Sequence, residues 1–233
     1  VIPEFFYTPL YDEIHRFRWF SSDPTYHNKP EQKGLREKLL CKSCESVICR
    51  YERYVSQLFS GAKVITSVRN GNAVFLSGID YRKFKLFLLS VLWRAGISRL
   101  PFFRQVRLGL HEKTLREMLV AEDPGPSILY PCIVDGVIHD GIPQFGLIVE
   151  PSFTRFEGHH CFRFLFGGLG WVFFVSSHSL PSAVTERVLN AEGRMVVVVR
   201  ELKELEYLKL LLAEAPCYAG MTKIFCNSSA QNS

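Results

Sequence analysis

The sequence predicts an α+β protein: a small cysteine-bearing module at the N-terminus, a helical middle and a β-rich C-terminal half. Three observations carry this. Cys41-Lys42-Ser43-Cys44 opens an amphipathic run that continues to Phe59. Apolar residues recur at helical spacing from Tyr81 to Ala95, directly behind Asp80. After the break Asp123-Pro124-Gly125-Pro126 the pattern changes to short apolar runs bounded by turn residues. The boundaries that follow are 1–60 for the cysteine module, 61–124 for a hairpin and basic helical region, 125–226 for an α+β domain and 227–233 for a polar tail.

Taken in order, Phe5, Phe6 and Leu10 suit one side of a short helix that Pro9 disturbs. Residues 21–38 are polar, with Pro24, Pro30 and Gly34, and read as a loop. Val47, Ile48, Tyr51, Val55, Leu58 and Phe59 form the apolar face of the first long helix. Lys63 to Ser77 reads as a hairpin turning at Asn70-Gly71. Asp80 caps a helix from Tyr81 to Ala95, because its carboxylate can accept free first-turn amides. Phe84, Phe87, Leu88, Val91 and Leu92 are its buried face, and Gly96 ends it. A further helix spans 110–122. Strands are expected at 128–134, 137–139, 145–150, 161–166, 171–176 and 195–199, with helices at 181–189 and 201–214. The glycines of Phe166-Gly167-Gly168-Leu169-Gly170 sit between strand-like runs with no helix to follow, which predicts a hairpin turn and no phosphate loop.

Length and composition bound the function. The 233 residues can bury a sizeable core, and 47% hydrophobic with 22% charged residues is ordinary for a globular chain. The formal charge of +5 permits a nucleic-acid partner without requiring one. Seven scattered cysteines fit no disulfide framework and suit a reducing compartment, hence a cytoplasmic protein. No apolar run reaches membrane-spanning length, so no membrane partner is expected.

The sharpest motif is Cys41-x-x-Cys44. Two thiolates on a tight turn can share one zinc ion at about 2.3 Å. Their spacing supplies half of a four-ligand site, and no second Cys-x-x-Cys occurs in the chain. Two ordinary thiols or a redox pair are the alternatives. Glu45 and Glu52, seven residues apart, lie on one side of the helix at the edge of its apolar stripe.

Together, Val1-Ile2-Pro3-Glu4-Phe5-Phe6-Tyr7 and the run Leu39-Leu40-Cys41-Lys42-Ser43-Cys44-Glu45 through Val55 resemble a branch of the HNH (His-Me finger) endonuclease-like proteins. The resemblance covers about the first sixty residues. It implies a structural zinc on Cys41 and Cys44, a catalytic divalent cation (magnesium or manganese), and Glu45 and Glu52 as metal-binding or neighbouring acids. Val1-Ile2-Pro3 matches the strand that follows the family's general-base histidine, and Tyr51-Glu52 its aromatic–acid pair. The departures are specific. The histidine falls immediately before Val1, and the first cysteine pair earlier still. Arg36, Glu37 and Lys38 stand where the family has its middle asparagine. The expectation is therefore a fragment or a misjudged start, in a bacterial or phage context. A chain of these 233 residues alone would be inactive by this mechanism.

Residues 81–110 hold Arg82, Lys83, Lys85, Arg94, Arg99, Arg104 and Arg107 and no acid. They are candidates for phosphate contacts, with Phe102 and Phe103 available to stack on bases. The competing reading is a solvated helix face. His139, His159, His160 and His178 with Cys132 and Cys161 match no metal-site spacing, and adjacent histidines on a strand face opposite ways. Two functions follow: a metal-dependent HNH-like endonuclease, or a non-catalytic zinc-knuckle protein binding a protein or small ligand through its C-terminal half. A separate enzyme in that half lacks any nucleophile–base pairing to support it.

Overall fold

The computed structural model of the protein describes residues 1–14, 16–17, 32–176 and 178–205. Its organising element is a helix buried on every side, and the other elements are placed by what packs on it. The first long helix, α1 (Lys42–Phe59), starts at the cysteine pair, and Ile48, Tyr51, Tyr54 and Val55 form its buried face. Strands β1 (Thr66–Asn70) and β2 (Ala73–Ser77) pair antiparallel, joined by Gly71 and Asn72. Gly71 takes φ 60°, the conformation a two-residue hairpin link needs and a side chain resists.

Helix α2 (Tyr81–Ile97) is capped as predicted: the Asp80 carboxylate accepts from the Lys83 amide at 3.0 Å. Every residue from Phe84 to Ala95 is buried, not one stripe of them. A helix apolar around most of its circumference is an interior helix, and here α1, α3 (His111–Val120) and the sheet surround it. Gly96 does not end it. A Cβ there would lie 2.1 Å from the Leu108 side chain, so the glycine lets the next segment cross close over the last turn.

The sheet contains β1 and β2 with β3 (Cys132–His139), β4 (Ile142–Pro143), β5 (Val149–Phe156), β6 (His159–Phe166), β7 (Leu169–Phe174) and β8 (Met195–Glu201). Its order is β1-β2-β8-β3-β7-β6-β5, with β4 on β3; β8 runs parallel to β3 and the other pairs are antiparallel. The two strands expected at 128–134 and 137–139 are one continuous β3. The turn predicted at Gly167-Gly168 links β6 to β7, with both glycines at positive φ. The short helix α4 (Ser182–Thr185) precedes β8. The helix expected from 201 begins as a 3-10 turn, Leu202–Glu204; residues 206–233, including the rest of that helix and the polar tail, lie outside the described residues.

The boundary predicted at 124–125 does not separate two cores. Strand β2 pairs with β8 across more than a hundred residues, and one apolar cluster runs from Ile2 through α2 to Met195. Pro124 and Gly125 mark a sharp turn inside that body. Trp171, fully buried, stacks on Phe166 (centroids 5.1 Å apart) and meets Phe87 of α2 edge-on. Among the described residues no helix is long and apolar enough to cross a membrane.

Candidate functional site

The N-terminal segment is pinned by aromatic packing. Phe6 meets Phe166 at 4.9 Å and Phe59 at 5.0 Å, edge to face. It rests on Gly167, where a Cβ would come within 2.3 Å of its ring. Tyr7 packs on Gly34 in the same way. These contacts lay Val1, Ile2 and Pro3 along α1. The residues match no strand here, and are followed by 3-10 turns at Glu4–Phe6 and Thr8–Leu10 instead of one short helix. Proline at position 3 has no amide to give to a ladder.

A cleft of about 520 Å³ results between this segment, residues 35–40 and α1. Val1, Glu45, Cys49, Glu52 and Arg94 line it. The two acids singled out by spacing therefore do face one cleft, but in different states. Glu45 is exposed at its rim. Glu52 accepts from the Arg94 guanidinium at 2.7 Å, the two side chains being 20% and 10% exposed. Glu37 holds the opposite wall to the end of α2, accepting from Ser98 Oγ at 2.6 Å and from the Arg99 amide.

The cysteines sit at the mouth of α1. Cys41 is the residue before the first turn and Cys44 lies within that turn; both are exposed. The Cys41 Sγ lies 3.1 Å from Ser43 Oγ. That hydrogen bond, with others from the Cys44 amide and thiol, brings the Cys41 thiol down to about 7, while Cys41 pushes Cys44 up. Two exposed thiols within hydrogen-bonding reach, one easily ionised, fit one half of a zinc site. The one cluster of three metal-ligating side chains among the described residues is elsewhere, at His139, Asp140 and Glu201. His15, His27, Cys217 and Cys226 lie outside the described residues.

The basic region is broken up by the fold. Lys85 is buried, its ammonium donating to the carbonyls of Leu129 and Tyr130 at 2.7 Å each, and burial pushes its pKa down to about 7. Arg94 is buried against Glu52. Phe102 and Phe103 are each 1% exposed and cannot stack on bases. Lys85, Arg94 and both phenylalanines thus leave the expected nucleic-acid surface, because α2 is packed on all sides from Phe84 to Ala95 and Phe102 and Phe103 join the same core. Arg82, Lys83, Arg99, Arg104 and Arg107 stay exposed. Of these, Arg82 bonds the Glu122 carbonyl at 3.0 Å, Lys83 pairs with Asp80 at 2.9 Å and Arg104 approaches Glu150 at 3.4 Å.

His159 and His160 face opposite ways as predicted, His159 buried against Ser176 Oγ and His160 exposed beside Phe153. Cys132 and Cys161 are buried free thiols. Spacing missed a charged cluster on the far face of the sheet, where Asp135 meets Arg187 and Arg200. The available signal was an aspartate in the middle of the apolar run Ile133-Val134-Asp135-Gly136-Val137.

Comparison of the chain with protein-family models, with curated proteins and with solved structures finds no match.

Proposed function

We propose that the chain carries an HNH-like module that cleaves nucleic-acid phosphodiesters at the cleft between its N-terminal segment and α1. The observation that supports this is the meeting of Val1 with Glu45 and Glu52 in one cleft. In the resemblance, the general-base histidine directly precedes the residue matched by Val1, so a histidine there would stand within the same cleft as both acids. Glu45, exposed at the rim, is the candidate acid for a divalent cation, magnesium or manganese. Such a cation supplies charge stabilisation at the phosphoryl oxygen and the leaving alkoxide. Glu52 fixes Arg94 at the cleft floor. Cys41 and Cys44 would hold a structural zinc that fastens the start of α1, with the remaining ligands drawn from outside the described residues. Arg82, Lys83, Arg99, Arg104 and Arg107 remain for backbone phosphates. The free thiols suit a reducing compartment such as the cytoplasm, in a bacterium or phage.

A second reading is a non-catalytic zinc-knuckle protein. The observation favouring it is that Glu52 is already neutralised by Arg94. Elemental analysis and plasmid nicking separate the two, using the protein with its upstream sequence included. The nuclease reading expects about one zinc per chain, lost in a Cys41→Ser, Cys44→Ser variant, and magnesium- or manganese-dependent nicking abolished by Glu45→Gln. Zinc without nicking selects the binding protein. Absence of zinc, or nicking unchanged in Glu45→Gln, overturns the assignment of these residues.

A further inference from the structure

The fold sorts the described cysteines into three settings. Cys132 and Cys161 are buried among apolar side chains of the sheet. Cys49 is exposed on the cleft side of α1. Cys41 and Cys44 are exposed and in contact, a hydrogen bond joining the two thiols. From Cys44 to Cys49 the helix turns through about 140° and rises about 7.5 Å, so Cys49 does not reach the pair.

The contact depends on where α1 begins. Residues three apart inside a helix hold their Cβ atoms about 5–6 Å apart. A disulfide needs about 3.5–4.5 Å. A Cys-x-x-Cys within a helix is therefore too wide to close without strain. Cys41 escapes this because it is the residue before the first turn. With φ −76° and ψ 163° its backbone is extended, and its carbonyl joins the helix by accepting from the Glu45 amide at 2.9 Å. Its side chain can then fold back over the first turn. There Sγ lies 3.1 Å from Ser43 Oγ and accepts from the Cys44 amide. These donors, at the positive end of an 18-residue helix, also stabilise charge on the Cys41 sulfur as it attacks and as it leaves.

We infer that Cys41 and Cys44 form a reversible thiol–disulfide couple that exchanges with low-molecular-weight disulfides, Cys41 attacking and Cys44 resolving. The Cys41 thiolate attacks one sulfur of the external disulfide, forming a mixed disulfide and releasing one thiolate. The Cys44 thiolate then attacks the Cys41 sulfur, closing the Cys41–Cys44 bond and releasing the second thiolate. Two protein thiols are oxidised, one external disulfide is reduced, and the two protein protons pass to the released thiols. The couple stands apart from any nuclease activity. Its consequence for zinc rests on the assignment of these cysteines as zinc ligands: a disulfide leaves no thiolate for the ion, so oxidation unfastens the start of α1.

The test uses the full chain, stripped of metal by a chelator, in glutathione buffers running from reduced to oxidised. Free thiols are trapped with N-ethylmaleimide and the products are mapped by mass spectrometry of peptides. A Cys41–Cys44 disulfide that forms and reverses with the buffer is expected. Cys44→Ser, at an exposed position, removes the resolving thiol. Cys41 should then accumulate as a mixed disulfide with glutathione, about tenfold faster than Cys49 in the same chain. Absence of the Cys41–Cys44 disulfide, or equal mixed disulfide at Cys41 and Cys49, overturns the inference. A zinc-loaded sample run in parallel separates the two readings. Zinc released in step with the disulfide supports both. A disulfide in a chain that never binds zinc upholds the couple and overturns the zinc assignment. Zinc retained by the oxidised pair overturns the link between them.

Discussion

Breaking the Glu52–Arg94 pair is expected to destabilise the fold, and its size follows from where the pair sits. Arg94 lies in the fully buried stretch of α2, with Glu52 on α1 2.7 Å away. In Glu52→Leu the guanidinium keeps, among the described residues, only Ser90, whose carbonyl and hydroxyl lie at 3.1 and 3.4 Å. Removing one partner of a buried ion pair costs roughly 3–5 kcal/mol, because the other charge stays desolvated. The cleft admits water beside Glu52, so the lower end applies, about 3 kcal/mol. Arg94→Met alone should cost less, since the carboxylate it strands is the more exposed partner. The double variant removes both charges and should come within about 1 kcal/mol of the parent. The double-mutant cycle, measured by urea unfolding, should then show a coupling of about 2 kcal/mol or more. Additive effects, with Glu52→Leu costing under about 1 kcal/mol, would refute the reasoning. They would mean that Arg94 is solvated and that Glu52 is free to serve the cleft. Glu45→Gln, at an exposed position, should leave stability unchanged, so any loss of function in that variant is read separately from folding.

Two more predictions test other parts of the molecule. Alkylation of the zinc-free protein by iodoacetamide, followed by peptide mapping, should give Cys41 a midpoint near pH 7, since its thiol is held down to about 7 and ionises above that pH. Cys49, pushed up by burial and by Glu52 and Glu45, should react only at higher pH; Ser43→Ala should raise the Cys41 midpoint, and identical midpoints for the two thiols would contradict the geometry. Gly193→Ala should cost about 3 kcal/mol, because φ is +74° and the new Cβ would fall 2.1 Å from the Ile79 carbonyl oxygen. In thermal unfolding that is a fall of about 6–12 °C for a chain of this length, and a shift under about 2 °C would show that the loop before β8 moves aside freely.

Local physics made much of this fold legible. The cap at Asp80, the hairpin turn at Gly71 and the β6–β7 turn at Gly167-Gly168 depend on a few neighbouring residues, and each lies where the chain chemistry predicts it. The start of α1 at the cysteine pair was legible for the same reason, as was the opposed facing of His159 and His160. The helix at 81–97 was legible as a helix but not as an interior one. Lys85 and Arg94 read as surface charges because lysine and arginine are exposed on average; here two carbonyls and one carboxylate, all distant in sequence, meet them inside the protein. The boundary at 124–125 failed because β2 finds its partner in β8, and strand pairing over such a separation leaves no mark on either strand alone.

The same division holds for the cleft and for the charged cluster on the sheet. The sequence by itself determined the residue types and helical spacing of Cys41, Cys44, Glu45 and Glu52, since one helix sets their relation. Only the tertiary structure decided that Val1 and Arg94 join the acids in a cleft, and that Asp135, Arg187 and Arg200 converge across the sheet. Charges gathered from separate elements owe their geometry to packing and strand register, which the chain fixes only when the whole core closes.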